Sequence, residues 1–217
     1  MNLLKRALMF ALTRTQRGEE YFLICRLRSY LRQSGWVQSA RSGLPQNAAG
    51  ESLPWLTYPA IRFLTERIRP RFRVFEYGSG QSTLWWSTRV AKVVACEHDI
   101  SWYRYFSTQL PSNAQILYQE LDYGGNYCRV AGNQPARFDL IVIDGRDQVN
   151  CARESVGALT LDGVLVWDNT EREKYRAGFS HLHSQGFRQI DFWGLGPCGY
   201  KEWCTTVFYR SDNCLGL

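Results

Sequence analysis

From Pro54 onward the chain alternates short β-branched, apolar runs with helical windows, and that alternation restricts the fold more than any other feature. Strands are predicted at Arg73–Tyr77, Val93–Glu97, Gln115–Gln119, Leu140–Ile143, Val164–Trp167, Arg188–Phe192 and Thr205–Tyr209. Helices are predicted at Tyr58–Ile68, Ser82–Arg89, Ser101–Leu110, Cys151–Leu159 and Lys174–Ser184. The run Asp139-Leu-Ile-Val-Ile143 has four consecutive apolar residues, so both its faces are buried, as in a parallel sheet covered by helices on both sides. No helical window separates the last two strands, which predicts an antiparallel hairpin at one edge. The expected fold is therefore α/β: a Rossmann-like, doubly wound, mostly parallel seven-stranded sheet with an antiparallel edge hairpin and an N-terminal helical extension. Such sheets bind ligands beyond the C-terminal ends of their strands, and function is to be sought there.

Within residues 3–32 two basic helical stretches are expected, separated near Thr13–Gly18. Ser, Gly, Asn, Gln and Pro dominate Gln33–Pro54, which reads as a connector. The chain thus divides into a basic helical extension with its connector, residues 1–53, and an α/β domain, residues 54–217. The formal net charge of +6 belongs to the extension. Residues 1–41 carry eight basic side chains and two acidic ones, and the remainder carries eighteen of each. A neutral body argues against a specific nucleic-acid footprint. The extension can cap the acceptor side of a site in the body, meet an acidic membrane surface or a protein partner, or act as a targeting segment. No apolar run reaches the roughly 18–20 residues that span a bilayer. The seven cysteines form no CxxC pair, and reduced thiols in a cytoplasmic protein are the simplest reading.

The first strand runs into Glu76-Tyr-Gly-Ser-Gly-Gln-Ser-Thr83. Gly78 and Gly80 permit a tight turn with close backbone approach to a ligand, ahead of a helix N-terminus that offers unpaired N–H groups. The stretch departs from the dinucleotide pattern GxGxxG, because Thr83 takes the third glycine position. Glu76 also stands two residues before the first glycine. A carboxylate there repels a pyrophosphate and attracts an ammonium or sulfonium group, which favours S-adenosylmethionine over a nicotinamide dinucleotide. The second strand ends at Glu97, 21 positions after Glu76, a spacing suited to gripping a ribose diol.

These stretches, with Glu97-His-Asp99 and Asp139-Leu-Ile-Val-Ile-Asp-Gly145, resemble the first, second and fourth motifs of class I S-adenosylmethionine-dependent methyltransferases. The resemblance runs from about Pro54 to Tyr209. It implies a seven-stranded sheet whose last strand is antiparallel, Gly78 and Gly80 beside the methionine part of the cofactor, Glu97 on its ribose, and Leu121-Asp122 near its adenine.

On the acceptor side, the fourth and fifth strands end in Asp144-Gly-Arg146 and Asp168-Asn169. Asp144, Asp168 and Asn169 make an all-oxygen set suited to Mg²⁺ or another divalent cation, and they resemble the metal triad of catechol-type O-methyltransferases. The other reading is a helix cap at Asp168-Asn169 and a metal-free site with Asp144 as general base. Arg146 stands near the position where those enzymes carry a lysine. It stays protonated and cannot serve as a base, but it can clamp an anionic group. Among the eight tryptophans, at least one of Trp85 and Trp86 is expected to face the sheet, Trp102 to pack likewise, and Trp167 suits either the core or an acceptor pocket. Trp193 and Trp203 bracket a loop that can cover the site. Together these readings predict methyl transfer to an oxygen of a small molecule or sugar. The rivals are a nicotinamide-dependent oxidoreductase and a non-catalytic nucleoside-binding protein.

Overall fold

A computed structural model describes Thr15, Gln16, Gly18, Glu20 and residues 29–217. The two basic helices expected over residues 3–32 lie largely outside the described residues. The segment expected to be an irregular connector contains more structure than its composition suggests. The short helix α1 (Tyr30–Gln33) falls at the end of the second expected helical stretch, α2 (Trp36–Ser42) occupies the start of the connector, and Gln46 bridges to Ser52 beyond them. Polar contacts hold it, and these leave no hydrophobic period to read. The buried Ser39 hydroxyl donates to the Gln46 carbonyl at 2.8 Å and accepts from the Gln46 N–H at 2.9 Å. Trp36 Nε1 donates to the Gly199 carbonyl at 2.5 Å.

Beyond it the predicted alternation is realised as α3 (Tyr58–Arg67), β1 (Arg73–Tyr77), α4 (Gln81–Ser87), β2 (Lys92–Glu97), α5 (Ile100–Ser107) and β3 (Ala114–Tyr118). There follow α6 (Asn126–Arg129), β4 (Phe138–Ile143), α7 (Gln148–Ser155), β5 (Leu159–Asp168), α8 (Arg176–Ser184), β6 (Arg188–Gly194) and β7 (Trp203–Tyr209). The seven strands form one sheet in the order β3-β2-β1-β4-β5-β7-β6. β1 to β5 are mutually parallel, and β7 runs antiparallel to both β5 and β6. The doubly wound sheet with its antiparallel edge is therefore present as expected.

Alternate residues of each parallel strand feed two cores. Phe75, Tyr77, Ile141, Ile143 and Trp167 pack with Tyr127, Cys151 and Leu182 from α6, α7 and α8. Val74, Val142 and Val166 pack on the opposite face with Leu64 from α3 and with Trp85 and Trp86 from α4, and Phe106 of α5 joins Ala95 and Ile116 there. Trp85, Trp86 and Trp167 are all fully buried, and each fully buried aromatic contributes on the order of 2–3 kcal/mol of hydrophobic free energy. Trp167 thus belongs to the core, where its Nε1 donates to Gln148 Oε1 at 3.1 Å. The strand order changes direction between β1 and β4, the switch point at which doubly wound sheets open a crevice.

Candidate active site

A cavity of about 830 Å³ opens above that switch point. Glu76, Tyr77, Gly78 and Ser79 enter it from β1 and the turn after it, and Glu97, His98, Asp99 and Trp102 from the end of β2 and α5. Asp144, Gly145 and Arg146 follow β4, Asp168 ends β5, and Asn169 and Arg172 follow it. The topology therefore unites Glu76, Gly78, Glu97, Asp144, Arg146, Asp168 and Asn169 in one space. Gly80 and Asp122 do not line it.

The glycine turn is built for close backbone approach. Gly78 has φ 94°, a left-handed conformation that disfavours a side chain. Gly145 crosses directly above, and a methyl group on it would stand 2.9 Å from the Gly78 nitrogen and 2.5 Å from the Tyr127 hydroxyl. Gly80 lies beneath the indole of Trp102, whose Nε1 donates to the Ser79 carbonyl at 2.7 Å. Trp102 was expected to pack on the sheet. Instead it is partly exposed at the cavity, because its N–H is spent on the turn. Thr83 also has a task. Its hydroxyl accepts from the Gly80 N–H at 3.1 Å and donates to Glu76 Oε1 at 2.5 Å, tying the turn to the carboxylate beneath it.

Glu97 is heavily engaged by its own chain. One oxygen accepts from the Ser79 N–H at 3.1 Å and the Ser79 hydroxyl at 2.9 Å, the other from the N–H groups of His98 and Asp99 at 2.8 and 2.9 Å. Asp122 is likewise used locally. Its oxygens accept from the N–H groups of Asn126 and Tyr127 at 2.7 and 2.8 Å, which starts α6 and holds its pKa below the usual range. The cavity residue of that loop is its neighbour Tyr123.

Three carboxylates are left in a poorly solvated setting. Burial pushes the pKa of Glu76 up to about 7, with Thr83 and Ser82 opposing the rise. Burial, followed by the charges of Asp168 and Glu76, raises Asp144 well above the carboxylate range, and Arg172 opposes this. Burial raises Asp168 to about 7 against hydrogen bonds from Thr205 and Trp203. The Asp144 side chain receives no hydrogen bond from the described residues and keeps some surface open to the cavity. Asp168 is committed: its Oδ1 accepts from the Trp203 indole at 3.0 Å and from the Thr205 hydroxyl. Trp203, fixed by the close approach of Gly196 and Gly199, therefore braces the site from behind, and its loop does not line the cavity. Asn169 adopts φ 58°, a left-handed turn that asparagine tolerates. The expected metal triad does not form a cage of free oxygens, since one Asp168 oxygen is occupied. No group of three or more His, Cys, Asp or Glu side chains is arranged to hold a metal ion among the described residues.

No protein-family model matches the chain, and no curated protein matches it. Solved structures do. A methyltransferase from Pyrococcus furiosus superposes with a TM-score of 0.53 at 19% identity, covering 82% of this chain and 94% of that one. A TehB-like SAM-dependent methyltransferase from Corynebacterium glutamicum gives 0.51 at 18% identity, covering 69% and 86%. A spermidine synthase from Thermotoga maritima gives 0.52 at 16% identity, covering 69% and 56%. At these identities the likeness concerns the fold, and the chemistry must be argued from the site.

Proposed function

From the premise of a fold shared with class I S-adenosylmethionine-dependent methyltransferases, we propose that this protein is such a methyltransferase, transferring methyl to a hydroxyl oxygen of a small molecule. One observation carries the reading: Glu76, Glu97 and Asp144 converge on the glycine turn of a single cavity. Two of them are held in a setting that resists their ionisation. A bound cation relieves that cost, whereas a diphosphate at the same turn would add to it. The same charge argument disfavours a nicotinamide dinucleotide.

S-adenosylmethionine, when bound, supplies a methyl group on a sulfonium that needs no further activation. The residues of this chain have the remaining work. Gly78 leaves its backbone open to the methionine part, and Glu76 sits beneath it as counter-charge. Glu97 offers its oxygens to a ribose diol in exchange for the Ser79 hydroxyl. Trp102 and Tyr123 present partly exposed rings toward the cavity, flat surfaces suited to a base. Asp144, free of donors and raised in pKa, is suited to take the proton of the acceptor hydroxyl. This reading needs no metal. The divalent-cation variant requires Asp144, the remaining Asp168 oxygen and Asn169 to act together. Buried thiols at Cys96, Cys128 and Cys151 suit a reducing, cytoplasmic setting, and among the described residues no helix is long and apolar enough to cross a membrane.

The test is calorimetric titration of the full chain with S-adenosylmethionine and with NAD⁺, followed by an S-adenosylhomocysteine-release screen over hydroxylated small molecules. Binding of S-adenosylmethionine with turnover of an alcohol or phenol is expected. Binding of NAD⁺ alone refutes the reading, and binding of S-adenosylmethionine without turnover of any acceptor makes the protein a non-catalytic binder.

A further inference from the structure

We propose that the acceptor is an anion: a small hydroxyl-bearing molecule that also carries a carboxylate or phosphate, gripped by Arg146, Arg172 and Lys174. The proposal rests on reading the β1–β2 half of the cavity as the donor site.

Charge is divided across this cavity by strand. The wall supplied by β1, β2 and α5 bears Glu76, Glu97 and Asp99 and no lysine or arginine. All the lysine and arginine of the lining stands on the other half: Arg146 two residues past Asp144, and Arg172 and Lys174 in the turn that follows β5. The other half sets these three cations against three carboxylates, Asp144, Asp147 and Asp168. A donor cation placed over the acidic half therefore leaves the second reactant facing the only guanidinium and ammonium groups that the described residues bring to the lining.

These cations are poorly matched within the chain. No carboxylate lies within ion-pair distance of Arg146 or Lys174 among the described residues, and Lys174 Nζ rests 5.0 Å from the centre of the Tyr175 ring. Arg172 meets its sequence neighbour Glu171 at 3.6 Å, with half-exposed partners, a contact of little energetic weight. The acidic side chains facing this half are otherwise occupied. Asp168 accepts from Trp203 and Thr205, and Asp147 accepts from the Gly124 N–H and the Asn150 amide at 2.8 and 2.7 Å. Asp144 remains, and it is the group the reaction uses. Two guanidinium forks and an ammonium around one opening suit the planar or tetrahedral oxygens of a carboxylate or phosphate. Such an acceptor would be anchored by its anionic end with its hydroxyl directed inward to Asp144.

The experiment titrates the S-adenosylmethionine-saturated protein with benzoate and phenyl phosphate, and with the neutral controls benzamide and phenol. The anions are expected to bind at least about tenfold more tightly than their controls, and the stronger of the two identifies the anionic group. Arg146→Gln and Arg172→Gln should each weaken anion binding about tenfold, with Arg172→Lys restoring part of it, while the Kd for S-adenosylmethionine stays as in the wild type. Equal binding of anions and neutral controls, or Gln variants that bind the anions unchanged, overturns the proposal. S-adenosylmethionine affinity is measured separately on the wild type. Its absence removes the donor reading and the acceptor assignment with it, whereas its presence without anion preference refutes the acceptor assignment alone.

Discussion

Replacing Glu76 by Gln is expected to move two measured quantities in opposite directions. The Glu76 side chain is 2% exposed and takes one short hydrogen bond, from Thr83. Burial raises its pKa from the usual 4.5 to about 7. Between those values the folded protein binds more protons than the unfolded chain, so stability is fully present below pH 4.5 and declines as the pH rises through 7. At 1.36 kcal/mol per pH unit, the gap amounts to about 3 kcal/mol. Gln keeps an acceptor for Thr83 and cannot ionise. The ligand-free variant should therefore exceed the wild type by up to about 3 kcal/mol at pH 8, roughly 6–12 °C in Tm for a chain of this size, and converge with it near pH 4.5. Its affinity for S-adenosylmethionine should fall at pH 8 by about 10- to 100-fold, because the counter-charge is gone. Urea denaturation across pH 4.5 to 8 and calorimetry at pH 8 read the two effects. A variant less stable than the wild type at pH 8, or one that binds the donor equally well, refutes the reasoning.

Gly145→Ala should cost about 1–3 kcal/mol in stability by overpacking and weaken donor binding, since the new methyl meets Tyr127 Oη and the Gly78 nitrogen; adding Tyr127→Phe relieves one contact and should recover part of the loss in denaturant melts. Asp144→Asn should reduce kcat by about 10²–10⁴ and also weaken the donor, and an unimpaired kcat would remove Asp144 as base. Turnover should persist in excess EDTA, and activity lost to chelation and restored by Mg²⁺ would reinstate Asp144, Asp168 and Asn169 as metal ligands.

The central strands were legible because each is a short apolar run, and their common direction placed Glu76, Glu97, Asp144 and Asp168 at or near the C-terminal ends of β1, β2, β4 and β5 without any knowledge of side-chain contacts. Residues whose role depends on loop conformation were not legible. Trp102 joins the site because Ser79 offers its indole N–H a carbonyl, and that contact has no sequence period. The loop after β3 was expected to contribute Asp122. Its carboxylate instead caps a four-residue helix too short to show periodicity, and Tyr123 faces the cavity. Thr83 looked like a departure from a glycine motif and proves to be the link between the turn and Glu76. A small polar residue three positions after the second glycine of the turn, with an acid two before its first, is the signal that could have revealed it. Arg172 lies in a turn whose path no local pattern encodes.

The carboxylates of the cavity differ in how many donors they already hold, and this ranks their roles. Glu97 accepts from four groups and behaves as part of the frame. Glu76 is held by the hydroxyls of Thr83 and Ser82. Asp144 accepts from none among the described residues, and the charge of Glu76 contributes to its raised pKa. On the proposed reading, a donor cation bound over Glu76 offsets that charge and stabilises the ionised form of Asp144, the form a base requires. The sign follows directly: the Asp144 pKa should be lower in the complex than in the free protein. Since kcat reports ionisations of the complex and kcat/KM those of the free enzyme, the acidic limb of the kcat profile should lie at lower pH than that of kcat/KM for the donor. Glu76→Gln should move the acidic limb of kcat/KM to lower pH, because the Glu76 charge that raises Asp144 in the free protein is gone. Coincident limbs in the wild type would separate the base from the donor site and leave Asp144 a structural acid.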